Sequence, residues 1–180
     1  KLFNNIDRDL TEYVADQVGA SVPPENNEST YDKSSPALSM VNTKFSLNTR
    51  TVGVIIMPDV AETTLKETKE KLEKQGLQPM FISDKIYHIG DITLDATLDT
   101  VHAVLFDSLI VISGEKPLPA PAIENLEIAY KHKKAIGFGT DSVNIFDSLS
   151  FTKDDAGITD IEQDFDGFLS DVKAHRVWER

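Results

Sequence analysis

Two carboxyl side chains follow the first continuous apolar run of the sequence, in Met57-Pro58-Asp59-Val60-Ala61-Glu62. A turn of this kind can supply a general acid or base, whereas a phosphate-binding loop needs glycines and free N–H donors. The proline and the two acids would repel a phosphate group. We therefore take Asp59 and Glu62 as candidate acids. The simpler interpretation is an ordinary helix start, with Asp59 as its cap and Glu62 favoured by the helix dipole.

Hydroxyl side chains follow two later apolar runs. Ser113 precedes Gly114, and Gly137-Phe138-Gly139-Thr140-Asp141-Ser142 matches the start of a G-x-G-x-x-G motif whose third glycine is replaced by Ser142. A nucleophile elbow would lie at such a strand-to-helix turn. No histidine is near in the sequence, and neither Thr140 nor Ser142 stands in a G-x-S-x-G frame, so a tight turn is the favoured interpretation. The candidate residues of a degenerate site here are Ser113, Thr140, Asp141 and Ser142.

The sequence offers weak grounds for a metal site. It contains no cysteine, which excludes disulfides, thiolate metal ligands and a cysteine nucleophile. None of the histidines forms an HExxH motif or another i, i+4 pair; they are His88, His102, His132 and His175. The segment 162–173 mimics part of a calcium loop, but its twelfth ligand position is Lys173. We expect a solvated acidic stretch there, and no metal or cofactor in this chain.

The composition is that of an acidic globular chain. It has 180 residues, of which 40% are hydrophobic, and 18 Lys and Arg stand against 30 Asp and Glu, a formal charge of −12. This charge argues against nucleic acid or an anionic membrane as the main partner. No apolar run reaches the roughly 18–20 residues of a membrane span. The first residue is Lys1 and no signal-peptide pattern follows, so we expect a processed chain or an excised fragment.

The chain divides by pattern into residues 1–19, 20–50 and 51–180. In the first region, apolar residues at every fourth position predict a helix from Asp7 to Val18, with Asp7 as N-cap and Gly19 as stop. Such a short helix is marginal in water, so it needs something to pack on. Residues 20–50 are rich in Pro, Asn and Ser and predict a linker, which the apolar patch Ala37–Val41 could anchor.

From residue 51 onwards, apolar strands alternate with amphipathic helices. We predict strands at 52–57, 78–83, 108–112, 134–138 and 158–161, a hairpin around Gly90-Asp91, a helical turn within 97–106, and helices at 61–75, 122–133 and about 165–172. This alternation predicts an α/β sandwich, with a mostly parallel sheet covered by helices on both faces. Ligands bind beyond the carboxyl ends of the strands in such sheets. The informative loops are therefore 57–62, 113–115 and 139–142.

Several segments carry a family resemblance in their order along the chain. The most specific is the ending Ala174-His175-Arg176-Val177-Trp178-Glu179-Arg180, and the others are Asn4–Leu10, Val14–Gly19, Ser35–Ser39 and Ala129–Ile136. Together they resemble the C-terminal domain of large-subunit catalases over essentially the whole chain. By this resemblance, residues 1–19 form the helix leading out of the missing catalase core, 20–50 the linker, and 51–180 the appended flavodoxin-like domain.

The resemblance also implies a relation to PfpI-type proteases and class I glutamine amidotransferases. Active members of that superfamily use a cysteine at the elbow after the strand that corresponds to Ala135–Phe138, beside an acid from the first βα loop. Here the elbow is Gly139-Thr140-Asp141, Asp59 or Glu62 matches the acid, and no cysteine exists. We therefore expect a degenerate site with no catalytic residue.

A large catalase breaks down hydrogen peroxide with haem, as part of the oxidative stress response. The family's distal histidine and asparagine and its proximal tyrosine belong to the core, so the resemblance implies haem in the parent enzyme and none in this chain. We expect an accessory domain that stabilises the parent tetramer and shapes peroxide access, with the core and the other subunits as its partners. The alternatives are a holdase-type chaperone for unfolded client proteins and a residual hydrolase using Thr140 or Ser142. We expect a cytoplasmic parent, and the sequence leaves secretion open.

Overall fold

The computed structural model describes residues 3–24, 35–37, 43–114 and 116–180, with the side chains of Asn5, Thr140 and Val143 left out. The chain forms two compact units, Lys1–Lys44 and Phe45–Arg180. Much of the linker predicted over 20–50, including most of the apolar patch Ala37–Val41, lies outside the described residues. Within the described residues, no helix combines the length and the apolar character needed to cross a membrane.

Among the described residues of the first unit, the α-helix α1 (Arg8–Val18) follows a 3₁₀ turn at Phe3–Asn5. The carboxylate of Asp7 caps it by accepting a hydrogen bond from the Leu10 amide at 2.8 Å. Gly19 ends it with φ of 64°, a conformation that suits glycine. Both predicted ends of this helix are confirmed.

Helix α1 leaves most of its apolar side chains exposed within its unit. It buries Thr11 and Ala15, and Arg8 fastens the chain that follows by donating to the Pro23 carbonyl at 2.8 Å. The exposed large apolar side chains of this unit are Phe3, Ile6, Leu10, Tyr13, Val18 and Val22. A stripe of this kind is typical of a helix that packs against a further surface.

The second unit is built on a six-stranded sheet whose neighbouring strands all pair in parallel. Its strands are β1 (Thr51–Ile56), β2 (Gln78–Ser83), β5 (Ala96–Thr97), β6 (Ser108–Ile112), β7 (Ile136–Phe138) and β8 (Ile158–Asp160). The strands β3 (His88–Ile89) and β4 (Ile92–Thr93) form a separate antiparallel hairpin. The spatial order is β5-β2-β1-β6-β7-β8. Without the short edge strand β5, this is the 2-1-3-4-5 order of flavodoxin-like folds, which confirms the predicted fold class.

Helices cover both faces of this sheet. They are α2 (Glu62–Lys74), α3 (Ala120–Lys131) and α4 (Phe165–Ala174). Strand β1 alternates between the two layers: Val54 and Ile56 pack with α2 and α4, whereas Ile55 packs with α3. The strands are therefore buried on both faces, which is why they read as continuous apolar runs.

Some boundaries differ from the predictions for local reasons. Helix α3 starts at Ala120 rather than residue 122, so Pro121 lies in its first turn, where a missing N–H leaves no hydrogen bond unmade. Strand β7 is shorter than predicted, because its pairing begins only at Ile136. The segment after β7 is a 3₁₀ helix, Thr140–Ser148. The sequence analysis did not predict strand β5, because a strand of two residues is too short to show an alternation of apolar and polar side chains.

Candidate functional site

A cleft opens where neighbouring strands β1 and β6 send their connections to opposite faces of the sheet. Helix α2 follows β1 on one face and α3 follows β6 on the other. Such a switch point is where ligands bind in open α/β sheets. The cleft measures about 180 Å³. Its polar and glycine lining consists of Asp59, Thr64, Ser113, Gly114, Gly139, Asp141, Ser142 and Glu162.

Four of the six candidate residues thus meet at one place: Asp59, Ser113, Asp141 and Ser142. Glu62 does not line the cleft, and the side chain of Thr140 lies outside the described residues, although its backbone begins the 3₁₀ helix. No histidine is among the described residues that line the cleft. The described part of the site therefore holds carboxylates and hydroxyls without a histidine to activate the hydroxyls.

The hydroxyl of Ser142 ties two loops of the cleft together. Its Oγ donates to the Ser113 carbonyl at 3.0 Å and accepts from the Ser113 amide at 2.8 Å. The side chain is almost fully buried, at 1% exposure. Because a serine hydroxyl has one proton and that proton is engaged, Ser142 acts as a brace between β6 and the 3₁₀ helix.

Ser113 closes strand β6 and is buried, with 3% exposure. Its Oγ has no hydrogen-bond partner among the described residues. A hydroxyl without a neighbouring base keeps its proton at neutral pH and is a poor nucleophile. Ser113 therefore contributes its backbone, rather than its side chain, to the known contacts of the cleft.

Asp59 lies against the backbone of the next loop and does not cap α2. The N-cap of α2 is Ala61, which makes no side-chain cap bond, so the interpretation of Asp59 as a cap is wrong. The helix begins three residues after Asp59, too late for that carboxylate to serve as its cap. Instead, a Cβ at Gly114 would lie 2.5 Å from Asp59 Oδ2. Any side chain at Gly114 would displace this carboxylate.

Glu62 fastens the β3–β4 hairpin to helix α2. Its Oε1 pairs with Lys66 Nζ at 2.6 Å and accepts from the Asp91 amide at 3.2 Å. These hydrogen bonds, that of Lys66 first, lower the pKa of Glu62 below its usual value. Gly90 has φ of 58°, and a side chain there would collide with the Glu62 carboxylate. The Glu62 carboxylate is thus already hydrogen-bonded to the hairpin turn.

Glu162 is a cleft residue that the sequence reasoning missed. It follows strand β8 and lines the cleft, and a Cβ at Gly139 would lie 3.4 Å from its Oε1. Ligands bind beyond the carboxyl ends of parallel strands, and the sequence analysis applied this rule to the loops after β1, β6 and β7. Applied also to the loop after β8, the same rule finds Glu162. Together with Asp59 and Asp141 it makes the cleft acidic, and none of these three carboxylates forms an ion pair within the described residues.

A second groove of about 350 Å³ adjoins the cleft along α2. It shares Asp141 and Glu162 with the cleft and adds Glu67, Lys71 and Phe165. No three His, Cys, Asp or Glu side chains of the described residues group closely enough to hold a metal ion. In the segment that mimics a calcium loop, Asp164 caps α4 by accepting from the Gly167 amide at 2.9 Å. Among the described residues, this edge offers acceptors and carboxylates and no activated nucleophile.

Comparison with known proteins places this geometry in a family. Residues 48–180 match the C-terminal domain found in long catalases. The chain is 29% identical to Catalase-2 of Bacillus subtilis over 99% of its length, and 30% identical to a catalase of Alkalihalophilus pseudofirmus over 100%. It is also 27% identical, over 100% of its length, to Catalase HPII of Pseudomonas aeruginosa.

The chain spans little more than a quarter of these relatives: 28%, 28% and 27% of their respective lengths. The family match covers well over half of this chain and includes the sheet, the four loops of the cleft and the C-terminal segment. The resemblance seen in the sequence is thereby confirmed. This chain belongs to the family of C-terminal domains of long catalases.

Proposed function

We propose that this chain is the accessory C-terminal domain of a large-subunit haem catalase, where it stabilises the subunit assembly and shapes the access of peroxide to the core. The observation that carries the proposal is the match of residues 48–180 to the long-catalase domain, within alignments that cover about a quarter of each catalase. The disproportionation of hydrogen peroxide would then belong to the remaining three quarters of the parent protein.

The site geometry supports a role without chemistry of its own. The described lining of the cleft contains no histidine, and the proton of Ser142 is engaged by the Ser113 carbonyl. The lining of the cleft and groove also does not fit haem, since the described residues there include no histidine, tyrosine, cysteine or methionine as an axial ligand. Their carboxylates would in addition repel the propionates of haem. No step of peroxide breakdown is therefore assigned to this domain.

The first unit supports an anchoring role. Helix α1 exposes Leu10, Tyr13 and Val18, and an isolated helix of 11 residues is marginal in water. Packing of this stripe on the core would bury apolar surface at about 25 cal/mol per Å². The helix would thereby connect the stability of the appended domain to that of the assembly.

The test compares the parent protein with a variant that ends after residue 50, so that α1 stays in place. We expect the variant to lose activity at a lower temperature and to dissociate into subunits at lower urea concentration, because the contacts of the domain are gone. Haem content should stay close to that of the parent, whereas the dependence of the rate on peroxide concentration should change, because the domain no longer shapes access to the core. Identical heat resistance, denaturant resistance and peroxide kinetics of the two proteins would refute the proposal.

A holdase-type chaperone is the second candidate, and one observation favours it. An apolar groove of about 480 Å³ in the first unit is lined by Val14, Val18 and Val22 among others, and unfolded clients bind to exposed apolar surface. Excess domain should then suppress the turbidity of a heat-labile client, and Val18→Lys with Val22→Lys, two exposed residues of the groove, should weaken that protection. Unchanged turbidity with the unmodified domain would reject this function.

A further inference from the structure

We propose that the domain docks on the catalase core through the edge of the sheet at which its strands begin, and that the core surface it meets is acidic around an apolar centre. We call this surface the amino edge and define it by Val104, Leu105, Lys131, Arg176 and Trp178. The inference rests on the proposed function, because it takes the catalase core as the partner.

The amino edge holds most of the exposed apolar surface of the second unit. Among the described residues of that unit, the exposed large apolar side chains are Ile86 at 59%, Val104 at 62%, Leu105 at 59% and Trp178 at 73%. Ile86 lies beside the hairpin, and the other three belong to the amino edge. Trp178 is the only tryptophan of the chain, and exposed tryptophan is typical of binding surfaces.

A buried lysine links the two segments that carry these three side chains. Lys134 is 5% exposed, and its Nζ donates to the carbonyls of Ala103 at 2.7 Å and Phe106 at 2.6 Å, on either side of Val104 and Leu105. Its own carbonyl accepts from the Arg180 guanidinium, and the neighbouring Lys133 carbonyl accepts from the Val177 amide at 2.8 Å. The turn 103–106 and the segment 177–180 are therefore both hydrogen-bonded to residues 133–134, at the start of the same edge.

Cations surround this apolar centre although the chain as a whole carries −12. Helices in a parallel α/β sheet run opposite to the strands, so their C-terminal ends, which favour cations, lie at the amino edge. The cations at or beside this edge are Arg50, Lys131, Lys133, Lys134, Lys173, Arg176 and Arg180. Four acids lie beside these seven cations: Asp107 pairs with Arg50 at 3.5 Å, and Asp155, Asp171 and Glu179 lie around Arg180. A surface that complements this edge must carry acids around an apolar patch.

The chain enters the second unit at the same edge, where strand β1 begins. Residues 45–50 lead directly into β1, and the Thr51 amide is held by Asp107 Oδ2 at 2.9 Å, so the second unit is tethered at the start of its strands. A tether raises the local concentration of a partner attached to it. A second copy of this chain does not share this tether, so it is the poorer occupant.

The test uses the parent catalase with a specific protease site inserted in the predicted linker 20–50. After cleavage, size-exclusion chromatography shows whether the released domain still elutes with the core. We expect co-elution for the unmodified surface and at least a tenfold loss of the bound fraction for Leu105→Glu with Trp178→Glu. The matched control is Ile86→Glu, an equally exposed apolar side chain away from the edge, which should co-elute. Raising the salt to about 0.5 M should weaken the complex, because exposed charges are screened.

Retention of the double variant on the core would overturn the proposal, and so would separation of the unmodified domain at low salt. Separation of the Ile86→Glu control would equally overturn it, since the effect would then not be specific to the amino edge. The milder Leu105→Ala with Trp178→Ala, checked by circular dichroism, covers the case in which the glutamates prevent folding. Failure of the proposed stabilising role would appear differently, as unchanged heat resistance in the variant that ends after residue 50.

Discussion

The carboxyl edge of the sheet, where its strands end, and the amino edge, where they begin, carry opposite charge. Acids line the first, with Asp59, Asp141 and Glu162 around the cleft, and cations collect at the second. The cause lies in the direction of the helices, since helix N-termini favour acids and C-termini favour cations, and a parallel sheet sorts the two kinds of end onto opposite edges. The charge preferences at the ends of single helices thus add up to a separation of charge between the two edges of the domain.

The two edges are also held together by different polar groups. A buried charge, Lys134, fixes the amino edge through two carbonyls. A buried neutral hydroxyl, Ser142, fixes the carboxyl edge through the amide and carbonyl of Ser113. A buried polar group stabilises the fold only while its hydrogen bonds are made, and hydrogen bonds to a charged group contribute more free energy than those to a neutral group. The comparison therefore predicts a larger penalty at the amino edge.

The largest effect is expected for Lys134→Met. This change leaves the carbonyls of Ala103 and Phe106 without their donor in a buried site, so the free energy of unfolding should fall by about 3 kcal/mol. Urea unfolding of the chain measures it, with Lys131→Met, an exposed lysine at the end of α3, as the control. Equal stability of the two variants would contradict the role of Lys134 as an anchor.

Ser142→Ala should cost less, about 2 kcal/mol, because it removes two neutral hydrogen bonds. Ser148→Ala is the matched control, since Ser148 is exposed in the same 3₁₀ helix. Both variants are compared by urea unfolding under identical conditions. If Ser142→Ala is no more destabilising than Ser148→Ala, or costs more than Lys134→Met, the contrast between the two edges does not hold.

His175 makes the amino edge sensitive to acid. Arg50 Nη1 lies 2.9 Å from His175 Nδ1, and a guanidinium only donates, so this nitrogen accepts and the ring is neutral. Burial, followed by Arg176 and Arg50, lowers the pKa of His175 below its ordinary 6.5, although Asp107 opposes the shift. As pH falls below 6.5, the unfolded chain binds a proton first, so the native state loses stability until the lowered pKa is passed.

His175→Asn should remove this part of the pH dependence. Asparagine tolerates the φ of 73° at this position and does not titrate. Between about pH 7.5 and pH 5.5, the unfolding free energy of the variant should decrease less than that of the unmodified chain. The control is His132→Asn, at the exposed end of α3. An equal decrease in the unmodified chain and in the His175→Asn variant would exclude His175 as the source.

Glu62→Gln should have the smallest effect. Its ion pair with Lys66 is exposed to solvent, and exposed pairs add little to stability. The urea midpoint of the chain should stay within the error of the measurement, and the activity of the parent catalase should not change. A clear loss of parent activity would show that the carboxyl edge does more than its geometry indicates.

The strands and helix caps were the features most accessible from the sequence. Strands β1 and β6 were predictable because burial on both faces demands unbroken apolar runs. The ends of α1 followed from Asp7 and Gly19, since capping depends on the side chain and φ of single residues. Strand β5 was not predictable, because its two residues pair only through the position of β2.

The hydrogen-bond partners of the buried polar groups were harder to predict from the sequence. Nothing in the run Lys131-His132-Lys133-Lys134 shows that its last lysine is buried, yet Lys134 is, because the turn 103–106 offers it two carbonyls from a distant part of the chain. The pairing of Ser142 with Ser113 likewise joins residues that sequence spacing does not connect. Pairings of this kind depend on the tertiary structure, which explains why four cleft residues were found but their roles were not.

The two hydrogen bonds of Ser142 limit which mutations could turn this serine into a nucleophile. The Ser142 hydroxyl closes a structural bridge, so a mutation that frees it for reaction would weaken the domain at the same time. A serine nucleophile at this turn would therefore require both a group that activates it and a substitute for the bridge.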